Sequence, residues 1–207
     1  NSDENTYFDY PEYITKEEYI RSLMVVNGNR KAQIINFNIN YVDDRFAKVL
    51  TKIYSKLLFD YSKELKVRAS FPIHIILEEA HRYVQNDNDV NLLGYNIFER
   101  IAKEGRKYGI ILGLITQRPS ELSNTAISQC NNFLIFKMQH PLDIDYIRDM
   151  VPNITSEIIK KLKILPAGTC MAFGLAFKVP VLIKLKMPDP APASSNCDIS
   201  SNWFVRK

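Results

Sequence analysis

Glycine is scarce in this chain: seven occur in 207 residues, at positions 28, 94, 105, 109, 113, 168 and 174. None falls in the pattern GxxxxGK[ST], so no loop of that kind, with backbone N–H groups around a β-phosphate, is encoded in this stretch. Cysteine is equally sparse. Cys130, Cys170 and Cys197 are far apart and form no CxxC pair, which argues against a disulfide framework or a thiolate zinc site and for a reduced, cytoplasmic compartment. No apolar run approaches the length of a membrane span, and the polar N-terminus is unlike a signal peptide, so no membrane partner is expected. Neither sign of charge is in large excess. Lys and Arg total 27 against 23 Asp and Glu, a net +4, too little to argue for nucleic acid by itself. There is no internal repeat, and Asn1 is not an initiator Met, so a longer parent protein is expected. What remains is 46% hydrophobic residues, enough for one good core and, by default, one domain.

The most informative stretch is FPIHIILEEAHRYV, residues 71–84. Its apolar run fits a buried parallel strand. The run stops at two adjacent acids, Glu78 and Glu79. Acids at the C-terminal tip of such a strand lie where open α/β sheets place their ligands. Nucleoside triphosphatases build their Walker B element this way: the first acid serves the Mg²⁺ shell and the second polarises the attacking water. The alternative is a strand running into a solvated acidic turn.

In chain order, Thr15 and Glu18 form a capping-box pattern ahead of a short helix over 15–24. A turn at Asn27–Asn29 precedes a predicted strand from Lys31 to Asn38. Asp43 reads as the N-cap of a long helix reaching about Lys66, with an apolar stripe of Phe46, Val49, Leu50, Ile53, Leu57, Tyr61 and Leu65. A polar loop, 85–91, leads to a helix over 92–108 with an i,i+4 pair Glu99–Lys103 and Gly109 as its C′ residue. The next buried strand, Ile110–Thr116, ends in Gln117, Arg118 and Pro119. A short helix over 122–130, a strand over 132–138, and two helices over 141–151 and 155–165 follow. Thr169–Phe177 and Val179–Lys186 read as a β-hairpin. From Met187 the composition turns to Pro, Ala, Ser and Asn, which predicts a disordered or contact-ordered tail.

Strands alternating with helices predict an α/β fold, a mostly parallel sheet with helices on both faces. A right-handed crossover sets the tips of the two consecutive strands side by side, Glu78–Glu79 beside Gln117–Arg118. A neutral amide beside a carboxylate pair suits water attack on a phosphoryl group, because it reads the γ-phosphate or the water without adding charge. Gln117 as a loop cap and Arg118-Pro119 as an ordinary strand exit are the bland alternatives.

Three segments then carry a resemblance: EEAHRY from Glu78, IAKEGRKYGIILGLITQRPSELSNTAISQCNNFLIFKMQHPLDIDYI from Ile101, and LPAGTCMAFGLAFKVPVLIKL from Leu165. Together they resemble the C-terminal half of the HerA-like ATPases, of the HerA/FtsK superfamily of hexameric DNA-translocating motors, over residues 70–188. The resemblance implies a RecA-like sheet lacking its P-loop strand, whose place would be beside Ile110–Thr116, plus the hairpin. It divides the chain into a helical lead-in (1–29), the C-terminal half of the motor domain (30–186) and an extended tail (187–207).

The resemblance also implies roles. Glu79 matches the water-activating glutamate, and Glu78 the acid near Mg²⁺, reached through water. Members usually carry Asp at the Glu78 position, so the longer arm puts hydrolytic vigour in question. Gln117 matches the polar sensor. Arg106, in EGRKYG, matches the region that supplies an arginine finger to the next subunit, with Arg118 the second candidate and Arg100 a distant third. His81 has no HExxH or Cys/His companion and reads as packed or as relaying to the γ-phosphate. The implied ligands are ATP and Mg²⁺. The implied partners are further copies of the chain in a hexamer, double-stranded DNA through the ring pore, and a nuclease or other effector. The hairpin either reaches an adjacent subunit or buries Phe173, Phe177 and Val181 in its own sheet. Two other classes compete: a non-catalytic assembly module of the same fold, and a Mg²⁺-dependent nuclease using Glu78, Glu79 and His81, for which a third separated acid is missing.

Overall fold

The computed structural model describes residues 15–26, 30–39, 41–85, 94–151 and 154–191. The chain divides into two compact units, one of residues 1–130 with 141–153 and the other of 131–140 with 154–207.

The first unit opens with α1 (Lys16–Leu23). The Thr15–Glu18 capping box forms as predicted, each side chain reaching the other residue's backbone N–H. The N–H of Thr15 and its hydroxyl both hold the Glu18 carboxylate, which lowers its pKa. Two short strands, β1 (Val25–Val26) and β2 (Arg30–Lys31), pair antiparallel; the turn expected over 27–29 lies outside the described residues. The strand expected over Lys31–Asn38 ends at Lys31. Residues 32–39 carry no strand, and Ile34 stands almost wholly exposed. A β-run without a neighbouring strand among the described residues has no ladder to join, whatever its propensity.

Asp43 caps α2 (Asp44–Glu64), accepting from the N–H groups of Arg45 and Phe46. The predicted stripe is buried only in part. Tyr61 is buried as expected, whereas Phe46 is 58% exposed and Ile53 39%, and the buried face also takes in Ala47, Ser55, Phe59 and Ser62. Small residues let the helix backbone come close to its neighbours, and Phe59 and Tyr61 fill the space between them.

β3 (Ile73–Leu77) and β4 (Ile110–Leu114) form the parallel pair, Ile73 opposite Ile110 and Leu77 opposite Leu114. Ile75, Leu77 and Ile110 are buried on one face. On the other, Ile76 is 66% exposed, Ile111 51% and Ile115 55%. Between the strands runs α3 (Ile97–Glu104), capped by Asn96 and continued by a 3₁₀ turn over Gly105–Tyr108, with Gly109 at φ +80° closing it. The predicted helix was longer at its start, where 86–93 lie outside the described residues. The expected Glu99–Lys103 pair is replaced by other partners: Glu99 accepts from the Ser123 hydroxyl at 2.7 Å, and Arg100 faces Glu104 at 3.9 Å. Phe59 of α2 meets Tyr108 edge-on at 5.7 Å. A 3₁₀ turn (Pro119–Glu121), α4 (Asn124–Ser128) and α5 (Pro141–Met150) complete this unit.

Gly105 marks the tightest point beside β4. A Cβ there would lie 2.7 Å from the Ile110 carbonyl oxygen and 3.1 Å from Ile101 Cγ2. Backbone cannot yield as a flexible side chain does. Gly105→Ala should therefore destabilise the protein by about 1–3 kcal/mol, read as a lowered midpoint in denaturant unfolding. An unchanged midpoint would show that α3 and β4 can separate freely.

In the second unit, β5 (Asn132–Ile135), β6 (Thr169–Gly174) and β7 (Val181–Lys184) form an antiparallel sheet in the order β5–β6–β7. The predicted hairpin is thus present as β6–β7. β6 is the core strand, with Thr169 through Phe173 all buried, and Phe133 stacks on Phe173 at 5.4 Å. α6 (Ser156–Leu162), capped by Thr155, buries Ile159 and Leu162. Phe173 is buried as one alternative expected, but Phe177 is only half-buried and Val181 is exposed. The tail's residues 192–207 lie outside the described set. Among the described residues no helix is long and apolar enough to cross a membrane.

Candidate functional site

The tip of β3 departs from a regular ladder at the two acids. Ile115 donates its N–H to the Leu77 carbonyl at 2.9 Å, as an unbroken parallel pair requires. Its own carbonyl would then accept from Glu79; instead it accepts from Ala80, one residue later, at 2.8 Å. Glu78–Glu79 is therefore a one-residue bulge. Glu79 accommodates it in the left-handed region, at φ +50° and ψ +46°. A non-glycine residue there costs of order 1–3 kcal/mol, an expense found mostly at functional sites.

The bulge turns the Glu79 carboxylate toward the tip of β4. Gln117 donates from Nε2 to Glu79 Oε1 at 3.0 Å. His81 Nδ1 lies 3.3 Å from Glu79 Oε2 and 3.0 Å from the Thr116 hydroxyl. One carboxylate oxygen thus accepts from an amide on the neighbouring strand, and the other faces an imidazole two residues on whose hydrogen bond goes to Thr116. Glu79 keeps about a third of its side chain exposed, so its remaining lone pairs face solvent. Glu78 is exposed and enters no hydrogen bond or ion pair among the described residues.

The loop after Gln117 is held from below. Ser120 donates its N–H and its hydroxyl to the buried Asp143 of α5, at 3.1 and 2.6 Å. Arg118 donates its own N–H to the Thr116 hydroxyl at 3.0 Å, and its guanidinium pairs with Glu121 at 2.9 Å, which raises its pKa further. Arg82, on the 3₁₀ turn Ala80–Arg82, pairs with Asp44 at the start of α2. Thr116 and Asp143 escaped the sequence reading. A threonine two residues before a strand exit and an acid in the first turn of α5 were the available signals.

Glu78, Glu79, His81, Gln117 and Arg118 are brought to one rim of the parallel pair. Arg106 is not. It sits on the 3₁₀ turn before β4, exposed, whereas Gln117 follows the strand's far end. At about 3.3 Å per residue the two are separated by roughly 20 Å along β4. Arg100 is occupied elsewhere, over the Tyr95 ring at 4.9 Å and the Phe59 ring at 5.7 Å.

Among the described residues no three His, Cys, Asp or Glu side chains cluster as a metal cage. A single unengaged carboxylate, Glu78, fits only a cation that takes most of its ligands from water and phosphate, as Mg²⁺ does.

No family model matches the chain. It is 37% identical over 144 residues to a probable helicase of Methanocaldococcus jannaschii, which covers 70% of this chain and 27% of the relative. It is 27% identical over 187 residues to the DNA double-strand break repair helicase HerA of Sulfurisphaera tokodaii, covering 88% of this chain and 37% of that protein. The HerA of Pyrococcus furiosus is 30% identical over 142 residues, 69% of this chain and 24% of the relative. The chain thus spans between 24% and 37% of the length of these relatives. Among solved structures, the genome packaging NTPase B204 of Sulfolobus turreted icosahedral virus 2, in complex with AMPPCP, matches with a TM-score of 0.55 and 18% identity, over 76% of this chain and 69% of that one. At that identity it speaks for the fold alone, which is RecA-like α/β. With the HerA relatives spread over most of its length, the chain belongs to the HerA-like ATPases.

Proposed function

We propose that this chain is the C-terminal half of an ATP-hydrolysing motor that translocates double-stranded DNA as a ring, with residues 30–186 as its share of the motor domain, 1–29 as a lead-in and 187–207 as a tail. The observation that carries the reading is the Gln117–Glu79 hydrogen bond of 3.0 Å across two parallel strand tips. In this reading Glu79 accepts a proton from the water that attacks the γ-phosphate. Gln117 holds the carboxylate and, on swinging to the water or the phosphate, reads the bound nucleotide. Glu78 is the residue that would hold Mg²⁺, by way of water, and the ion would supply charge neutralisation at the phosphates. Arg106 projects from the opposite end of β4, which suits a finger offered to the next subunit's site.

The HerA relatives are named DNA double-strand break repair helicases, and the neighbouring fold is that of a genome packaging NTPase; both names agree with a DNA motor. The test is ATP turnover by the intact protein with Mg²⁺, expected to rise on adding double-stranded DNA. Protein that assembles into rings yet turns over no ATP would instead favour the assembly module, toward which Glu78 in place of Asp points.

A further inference from the structure

Thr116 is assigned no part in the chemistry above, yet it touches the one imidazole that touches Glu79. Its hydroxyl oxygen accepts the Arg118 N–H at 3.0 Å and lies 3.0 Å from His81 Nδ1. Nδ1 therefore faces two oxygens, the Thr116 hydroxyl and Glu79 Oε2 at 3.3 Å. A carboxylate only accepts, so a hydrogen on Nδ1, donated to the Thr116 hydroxyl, is the arrangement that suits both oxygens. Gln117 donates to the other oxygen, Oε1. The amide on one oxygen and the imidazole 3.3 Å from the other flank a carboxylate that a strained backbone already aims.

We propose that Thr116 and His81 are positioning residues for Glu79: Thr116, itself locked by the Arg118 N–H, sets the imidazole, and the imidazole sets the carboxylate against the attacking water. His81 then acts on the acid and touches no phosphate. The proposal rests on the reading of Glu79 as the water-activating residue. Its energetic logic is geometric. The pair acts on orientation alone. It narrows the carboxylate's orientations to those that accept along the line of attack, where a misplacement of about 1 Å can cost on the order of 100-fold.

The experiment uses the intact protein. Thr116→Val keeps the shape of the side chain and removes the hydroxyl. It should lower kcat for ATP by about 10- to 100-fold, leaving KM and the binding of a non-hydrolysable ATP analogue unchanged. Thr116→Ser should restore kcat. At His81, Asn places an amide donor near the Nδ1 position and should retain much of the rate, whereas Phe should lose it. Imidazole ¹⁵N spectra of the labelled protein without nucleotide should report the Nδ1-protonated tautomer, and Thr116→Val should shift the balance away from it. A parental kcat in Thr116→Val, or a loss that Thr116→Ser does not recover, overturns the relay while leaving Glu79's role standing. Hydrolysis that survives Glu79→Gln overturns both.

Discussion

Glu79→Gln in the intact protein should leave ATP bound and all but abolish its hydrolysis, lowering kcat by about 10²–10⁴-fold. The substitution is nearly isosteric. It removes the capacity to take a proton and leaves an amide beside the Gln117 amide, so one hydrogen bond can re-form in either orientation. Because neither KM nor analogue affinity depends on proton acceptance, the loss should fall on kcat alone. Binding measured by calorimetry and turnover by phosphate release separate the two quantities. The bulge sharpens the expectation. A left-handed Glu at φ +50° is strained in any case, and Gln is strained equally, so stability should not move. A variant that hydrolyses ATP at the parental rate would mean that the acid is ornamental and that the strand tip is a solvated turn after all. Loss of binding together with turnover would point to a structural collapse at the tip, which the unchanged backbone demands argue against.

What could be read from the sequence and what could not divides along physical lines. The acid-tipped β3 and amide-tipped β4 were legible because a strand announces itself by an apolar run and its end by the first polar residues, even where, as here, one face of the pair stays exposed. Their adjacency followed from the crossover rule, and the register Leu77 opposite Leu114 bears it out. Caps were legible for the same local reason: Thr15, Asp43 and the glycine at 109 act within a few residues of themselves. The strand expected over 31–38 failed because a ladder belongs to two segments and only one was in view. The α2 stripe drifted because the helix packs through Ala47, Ser55 and Ser62, and small side chains carry no hydrophobic signal. Most of the site's geometry was beyond reach. Glutamate has no left-handed preference to betray the bulge at Glu79, and Thr116 looked like the last residue of a strand. Only the folded chain brings its hydroxyl to His81.

Arg106→Ala should leave the fold intact and reduce ATP turnover by about 10³-fold or more, some 4 kcal/mol of barrier. The side chain is exposed on its 3₁₀ turn, so its removal leaves nothing buried unpaired. Arg106→Lys should not rescue, because a point charge lacks the planar fork that spans two phosphate oxygens. The decisive measurement is mixing. Glu79→Gln and Arg106→Ala proteins, each inactive alone, are combined under conditions where rings exchange subunits. A subunit with an intact Glu79 next to one with an intact Arg106 then carries a complete site, and random mixing of equal amounts would make about a quarter of the contacts complete in a head-to-tail ring. Turnover should reappear to that order. Within one chain Arg106 and Gln117 lie at opposite ends of β4, so a finger acting on its own subunit's site has no short path to it. Mixtures that stay inactive while Arg106→Ala alone is dead would place the arginine's effect inside its own subunit. Full activity in Arg106→Ala would reduce it to a cation favourably placed at the C-terminal end of a helix.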